Sequence, residues 1–491
     1  MSATSAVSPP QRGFFGHPRG LSTLFFTELW ERFSYYGMKA ILAYYLYRST
    51  AEGALGLDKS FALSLVAIYG SSVYMSGVAG GWLADRVLGG QRSVYYGGIL
   101  IMLGHVALAL PIGVAGVYTG LILIVLGTGL LKPNISTVVG GLYAADDPRR
   151  DSGFTVFYMG INLGGFLAPI ICGTLGEKVD WHLGFGAAAV GMAAGLVFYR
   201  AGLKNLGGSA ATPPNPLPAE ERAGVLGRIA GITAAVVAAV VVLVVTGVLD
   251  GEGVITLISV VSVALPIGYF VVMLRSARTT DVERSRLTAY IPLFIAAVMF
   301  WLLFEQSSTV IAAFADTKVD HHFLGFDWPP SYVQAVNPVL IILVAPLFAL
   351  LWVKLGQRQP STPRKFGFSL LLVGLSYVLM MIASQGDPGV RVSFLWIIGM
   401  YLVMTCGELM LSPVGLSVTT KLAPRAFASQ TMGLWFLASA AGQGIGAIVV
   451  RFYSDENAVA YFGVLGGVAI LLGIALVATA PAIRKLMRGV D

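Results

Sequence analysis

The sequence predicts an all-α membrane protein with fourteen transmembrane helices. Three observations carry this. Of 491 residues, 56% are hydrophobic and only 12% charged, about half the roughly 25% charge of a soluble globular chain. The mean hydropathy is +0.77. Apolar stretches long enough to cross the roughly 30 Å hydrocarbon core recur along the whole chain.

In order, the stretches predict spans near 21–47, 61–84, 93–111, 116–142, 153–175, 182–199, 229–249, 254–274, 288–315, 331–353, 366–384, 392–420, 427–450 and 459–483. Residues 1–20 are polar and have no apolar core of a leader peptide, so the first span is expected to persist. An even number of spans puts both termini on one side. The segments on that side, from Arg12 and Arg19 to Arg484, Lys485 and Arg488, hold 23 of the 32 basic residues; the other side holds Arg48, Lys59, Lys178, Lys318, Arg391 and Arg451. The positive-inside rule therefore predicts a multi-pass protein of the cytoplasmic (inner) membrane with both termini cytoplasmic. The formal charge of +7 is a by-product of this bias. Cations scattered over separate loops are a poor footprint for nucleic acid, so no nucleic-acid partner is expected.

The chain divides into a tail (1–20), a first six-helix bundle (21–202), a cytoplasmic linker with a two-helix insert (203–280), a second six-helix bundle (281–485) and a tail (486–491). The linker is Gly-rich and then Pro-rich, with Pro213, Pro214, Pro216 and Pro218, which predicts a semi-extended tract. The two following spans carry no charge and read as a lipid-facing pair. The halves echo each other weakly. LLKPNIS in the fourth span places Pro133 where MLSPVGLS places Pro413 in the second half, and matched helix interruptions point toward a binding site at the interface of such halves.

The informative residues are charges placed where lipid should be: Glu28, Glu31, Arg32 and Lys39 in the first span, with Lys132, Glu305 and Glu408 in later ones. Each costs about 2.5–3.5 kcal/mol at a helix centre, so seven unpaired would cost on the order of 20 kcal/mol, more than the roughly 5–15 kcal/mol of a typical net stability. They must face water or one another. At about 100° per residue, Glu28, Glu31, Arg32, Tyr35, Tyr36 and Lys39 share an arc of roughly 140° on the first helix. Two readings are open: a structural cluster of ion pairs, or a substrate and proton pathway. The charge sum favours the second, because four acids against three bases leave a surplus carboxylate, and a dry carboxylate tends to take a proton. Lys132 and Glu408, opposite in sign and near the matched prolines, suit a zwitterion with separated charges. Cys172 and Cys406 sit in apolar spans and read as packing residues. The five histidines show no metal-ligand spacing, so no metal and no cofactor is expected.

These residues carry a family resemblance. TELWERFSYYGMKAIL resembles the first-helix ExxER motif of bacterial proton-dependent oligopeptide transporters, within the major facilitator superfamily. GGWLADRVLGG is similar to the facilitator loop between helices two and three. FTVFYMGINLGGF resembles the family's fifth-helix signature, and GELMLSPVGLSVTTKLAP its tenth helix. The matches run in order from about residue 21 to 450. The resemblance implies the major facilitator fold, two six-helix bundles plus two inserted helices. It implies a proton-coupled symporter for di- and tripeptides, with protons as the coupling ion, membrane lipids around it, and a monomeric state. It further implies proton coupling by Glu28, Glu31, Arg32 and Glu305. The peptide carboxylate would lie near Arg32 and Lys132, and its amino group at Glu408 and Asn337. Tyr36, Tyr74 and Asn162 would contact the backbone, and Tyr35, Trp301 and Trp435 would line side-chain pockets. Lys39, counted with the peptide-binding residues, would also face Glu305 in an external gate. Two departures stand out. Phe304 precedes Glu305 where some members have a second acid, and no histidine falls between 61 and 84, so coupling should rest on carboxylates.

Other functions fit less well. A buried carboxylate gains nothing for a nitrate carrier. HExxH and GxxxxGK[ST] do not occur, so neither a metalloprotease-type membrane enzyme nor direct ATP-driven pumping is expected.

Overall fold

A computed structural model describes residues 13–144, 147–323, 325–386 and 389–490. Residues 1–12 of the expected N-terminal tail, Arg12 among them, and Asp491 of the C-terminal tail lie outside the described residues. The helices are α1 (Arg19–Tyr47), α2 (Lys59–Leu83), α3 (Gly90–Ala109), α4 (Val114–Gly140), α5 (Arg150–Lys178), α6 (Trp181–Gly202), α7 (Ala219–Val245), α8 (Gly251–Arg275), α9 (Asp281–Phe304), α10 (Val310–Lys318), α11 (Val333–Leu355), α12 (Thr362–Ala383), α13 (Leu395–Leu422), α14 (Ala428–Val449) and α15 (Ala458–Leu486). A two-residue antiparallel pair, His322–Phe323 with Phe326–Asp327, follows α10.

Thirteen spans among the described residues are long and apolar enough to cross a membrane, with α9 and α10 counted as one. With α1, whose buried charges set it apart, fourteen spans are present. The protein is thus a multi-pass helical membrane protein of the predicted class.

Three local differences from the sequence reading have physical causes. The ninth span begins at Asp281 rather than 288, because Thr280 and Glu283 form a capping box that starts the helix before its apolar part. The same span breaks at Glu305–Ser308. Backbone groups released by a break inside a membrane need other partners, and Tyr377 Oη donates to Leu303 O, in the last turn of α9, at 2.8 Å. The third concerns the insert. No residue of α7 is buried, and it starts ten residues early because AEERAGVLGR extends the helix into the polar region. In contrast, α8 is not simply lipid-facing. Ile255, Ser259, Ser262, Pro266, Phe270 and Met273 form a buried stripe, and Ser262 Oγ packs against Gly444 of α14.

The linker is tied down. Asn215 N donates to Asp85 O and Leu217 N to Arg86 O, at 3.1 and 3.0 Å. Gln91 Nε2 donates to Ser209 O at 2.8 Å. Its extended backbone therefore pairs with the turn ahead of α3.

The chain forms two compact units: Met1–Met38, Ser76–Cys172 and His182–Ala223 in the first; Lys39–Met75, Gly173–Trp181 and Gly224–Asp491 in the second. In the first, a core of Leu21, Leu24, Ile101, Leu131, Ile135 and Met192 joins α1, α3, α4 and α6. The second combines the later helices with the ends of α1 and α5 and the start of α2. Ser71 Oγ of α2, for example, donates to Ala440 O at 2.7 Å.

Candidate functional site

In the first unit, the polar face of α1 is buried. Glu28, Glu31 and Arg32 are 4%, 0% and 4% exposed. Arg32 Nε lies 3.1 Å from Glu28 Oε1, an i,i+4 pair, and also bonds Glu31 Oε2. One guanidinium N–H is thus shared by two carboxylates. Glu28 Oε2, Glu31 Oε1 and Arg32 Nη2 remain buried without a partner among the described residues. Buried charges with unmet hydrogen-bonding capacity are costly. Lys132 on α4 acts electrostatically on Glu28. The Arg32 guanidinium lies 5.4 Å from the Tyr35 ring centroid, and Tyr35 meets Tyr36 edge-on.

The α5 signature explains itself sterically. A Cβ on Gly164 would sit 2.4 Å from Leu29 O and 3.1 Å from Arg32 Cβ, so only glycine lets α5 lie this close to the Glu28–Arg32 turn. Asn162, two residues earlier, donates its amide to Tyr158 O at 3.0 Å.

In the second unit, Lys39 Nζ lies 2.6 Å from Glu305 Oε2, with side chains 6% and 12% exposed. Glu305 is the first residue after α9, so the helix break aims its carboxylate at Lys39. Asn337 Nδ2 on α11 donates to Glu408 Oε2 at 3.2 Å and to Thr405 Oγ1 at 3.0 Å, both on α13. Thr405, one turn from Glu408, was not singled out by sequence; its hydroxyl is an unremarkable feature of an apolar span. Trp435 is 5% exposed, and its ring occupies the place a Cβ on Gly415 would take. Trp301 packs edge-on against Phe300 and Phe304. Tyr74 is half-buried on α2.

The structure thus brings Glu28, Glu31, Arg32, Tyr35 and Tyr36 together with the influence of Lys132, and separately pairs Lys39 with Glu305 and Asn337 with Glu408. Sequence reading also missed a charged cluster, Arg48 with Glu177 and Asp316. These residues fall at span ends, where a charge costs little and draws no notice. Among the described residues, no group of three or more His, Cys, Asp or Glu could hold a metal ion.

Comparison with known proteins is decisive for the family. The POT family profile matches residues 91–467. The chain is 53% identical over 485 residues to the "Uncharacterized transporter YclF" of Bacillus subtilis (strain 168), covering 98% of each. It is 46% identical over 491 residues to a "Di-/tripeptide transporter" of Lactococcus lactis subsp. cremoris, covering 98% of this chain and 99% of the relative. Among solved structures, a peptide transporter POT in complex with sulfate superposes with a TM-score of 0.95 at 53% identity, covering 98% of each chain. A mutant of a peptide transporter POT in complex with alafosfalin gives 0.93 at 54% identity, again covering 98% of each. The chain belongs to the POT family of transporters.

Proposed function

We propose that the chain is a proton-coupled symporter that imports di- and tripeptides across the cytoplasmic membrane by alternating access, with both termini cytoplasmic and as a monomer among membrane lipids. The observation that carries this is Arg32, whose one N–H serves two buried carboxylates, Glu28 and Glu31. A peptide carboxylate that engages Arg32 or Lys132 takes a cation from one of them. A carboxylate left dry and unpaired favours its neutral acid, so substrate arrival and proton uptake are coupled at one helix turn. Glu305, paired with Lys39, is a second protonation position in an external gate.

The amino group of the peptide is held by Glu408, oriented by Asn337. Tyr36, Tyr74 and Asn162 contact its backbone, and Tyr35, Trp301 and Trp435 line side-chain pockets. The two bundles, 21–202 and 281–485, are the moving parts, and 203–280 joins them. The names of the relatives, a di-/tripeptide transporter and peptide transporters, support the substrate class. Dialanine should raise the melting temperature of the detergent-solubilised protein, whereas a sugar or nitrate at the same concentration should not. No shift with any di- or tripeptide overturns the substrate reading.

A further inference from the structure

A separate cavity of about 700 Å³ opens in the second unit among the ends of α1, α5 and α10, His321 and residues 327–330. This is the face opposite the start of α1, external if the termini are cytoplasmic. None of the residues lining it is among those assigned above to peptide or proton.

One wall is a charge cluster in which Glu177 is buried and Arg48 and Asp316 are half-buried. Arg48 Nη2 lies 2.8 Å from Glu177 Oε2 and 2.7 Å from Asp316 Oδ1, and the Glu177 side chain is 3% exposed. Ser331 N donates to Glu177 Oε1 at 3.1 Å, and Tyr47 Oη to Asp316 Oδ2 at 2.6 Å. The hydrogen bonds are complete but the charge is not: one guanidinium faces two carboxylates. A half-buried carboxylate in excess of its cations, as Asp316 is here, attracts a cationic group.

The rim is mixed: Lys178 and Arg391 stand beside the carboxylates of Glu52 and Asp327, the latter bonded to His322 Nδ1 at 2.9 Å. Lys178 Nζ donates to a backbone carbonyl, Asp327 O, at 2.7 Å, and Arg391 Nη1 lies 3.3 Å from His321 Nδ1. His321 Nε2 lies 2.9 Å from Ala315 O and must donate to it, which leaves Nδ1 as the acceptor. Both rim cations therefore bond neutral acceptors. Trp328, 8% exposed, also lines the cavity, and its Nε1 has no partner among the described residues.

We propose that this cavity is a second, external binding site for short zwitterionic peptides, the ammonium taken by the Glu177–Asp316 wall and the carboxylate by Lys178 and Arg391. It captures substrate before import, and so rests on the peptide-import reading. A ligand carrying only one charge satisfies only one side.

The test is protection of a cysteine in the cavity. Thr317→Cys, and in parallel the exposed Glu52→Cys, are labelled with a membrane-impermeant maleimide in proteoliposomes. Labelling of the unsubstituted protein, whose Cys172 is buried and Cys406 half-buried, is subtracted. Dialanine at ten times a millimolar Kd should slow labelling about tenfold. The protection should survive Glu408→Gln, and disappear with Lys178→Gln plus Arg391→Gln. Propylamine and acetate at the same concentration should protect little.

Three results overturn the proposal: no protection at either cysteine, protection that vanishes with Glu408→Gln, or equal protection by propylamine. Dialanine uptake in the same vesicles separates the two claims. Uptake without protection sinks the external site alone. Protection without uptake upholds the site and sinks the import reading.

Discussion

Replacing Glu408 by glutamine keeps the shape of the side chain and removes its charge. Asn337 Nδ2 donates to Glu408 Oε2 at 3.2 Å, and a glutamine carbonyl oxygen can accept the same bond, so the local geometry of α11 against α13 should persist. What is lost is the charge available to a peptide ammonium at the oxygen that Asn337 does not hold. Hydrogen bonds to charged groups contribute about 1.5–3 kcal/mol, which is roughly a ten- to hundredfold loss at 1.4 kcal/mol per decade. Isothermal titration of the detergent-solubilised variant should show that loss for dialanine. N-acetyl-dialanine has no ammonium, and its weaker binding should change by about twofold or less on the same scale. Asn337→Ala removes an orienting donor but leaves the carboxylate's charge in place for the ammonium, and should cost less dialanine affinity than Glu408→Gln. Equal losses for the free and acetylated peptides would refute the assignment, because the carboxylate would then act on something other than the amino group.

Two further outcomes follow from the first unit. Glu31→Gln fixes one of the two carboxylates around Arg32 in a neutral form, so proton-driven accumulation of dialanine should be lost while peptide-for-peptide counterflow continues. Loss of both with intact dipeptide binding would make the cluster structural. Gly164→Ala places a methyl 2.4 Å from Leu29 O; relieving the clash pushes α5 from α1 by about 1 Å, and overpacking of this kind costs about 1–3 kcal/mol. Its melting temperature and dialanine affinity should both fall. Gly268→Ala on α8, where a Cβ meets nothing within 4 Å, should leave both unchanged or slightly raise stability.

The fold was legible because the membrane makes composition a strict signal: every apolar run of about 20 residues became a span, with ends shifted by caps such as Thr280–Glu283. The α1 face was legible for the same reason in reverse, since Glu28, Glu31, Arg32 and Lys39 are unaffordable on a lipid-facing helix. The break after Phe304 was not, because Glu305 reads as one more charge within a continuous apolar run, and the hydroxyl that bonds the freed Leu303 carbonyl comes from distant Tyr377. The packing of α8 escaped as well. Ser259 and Ser262 are polar letters that hydrogen-bond their own helix, to Ile255 O and Ser259 O, and so cost nothing against α14. The Arg48 cluster joins three segments far apart in sequence, and no spacing rule connects Glu177 to Asp316.

The central claim is that peptide moves with protons, and accumulation in sealed proteoliposomes tests it most directly. Labelled dialanine is supplied outside, with an imposed pH gradient, acid outside, and an inside-negative membrane potential. One net charge crossing 100 mV supplies about 2.3 kcal/mol, or roughly fifty-fold accumulation at 1.4 kcal/mol per decade. Uptake should rise above the external concentration toward that ratio and collapse to equilibrium when a protonophore is added. Accumulation that survives the protonophore, or uptake that never exceeds equilibrium under the gradient, would contradict the account.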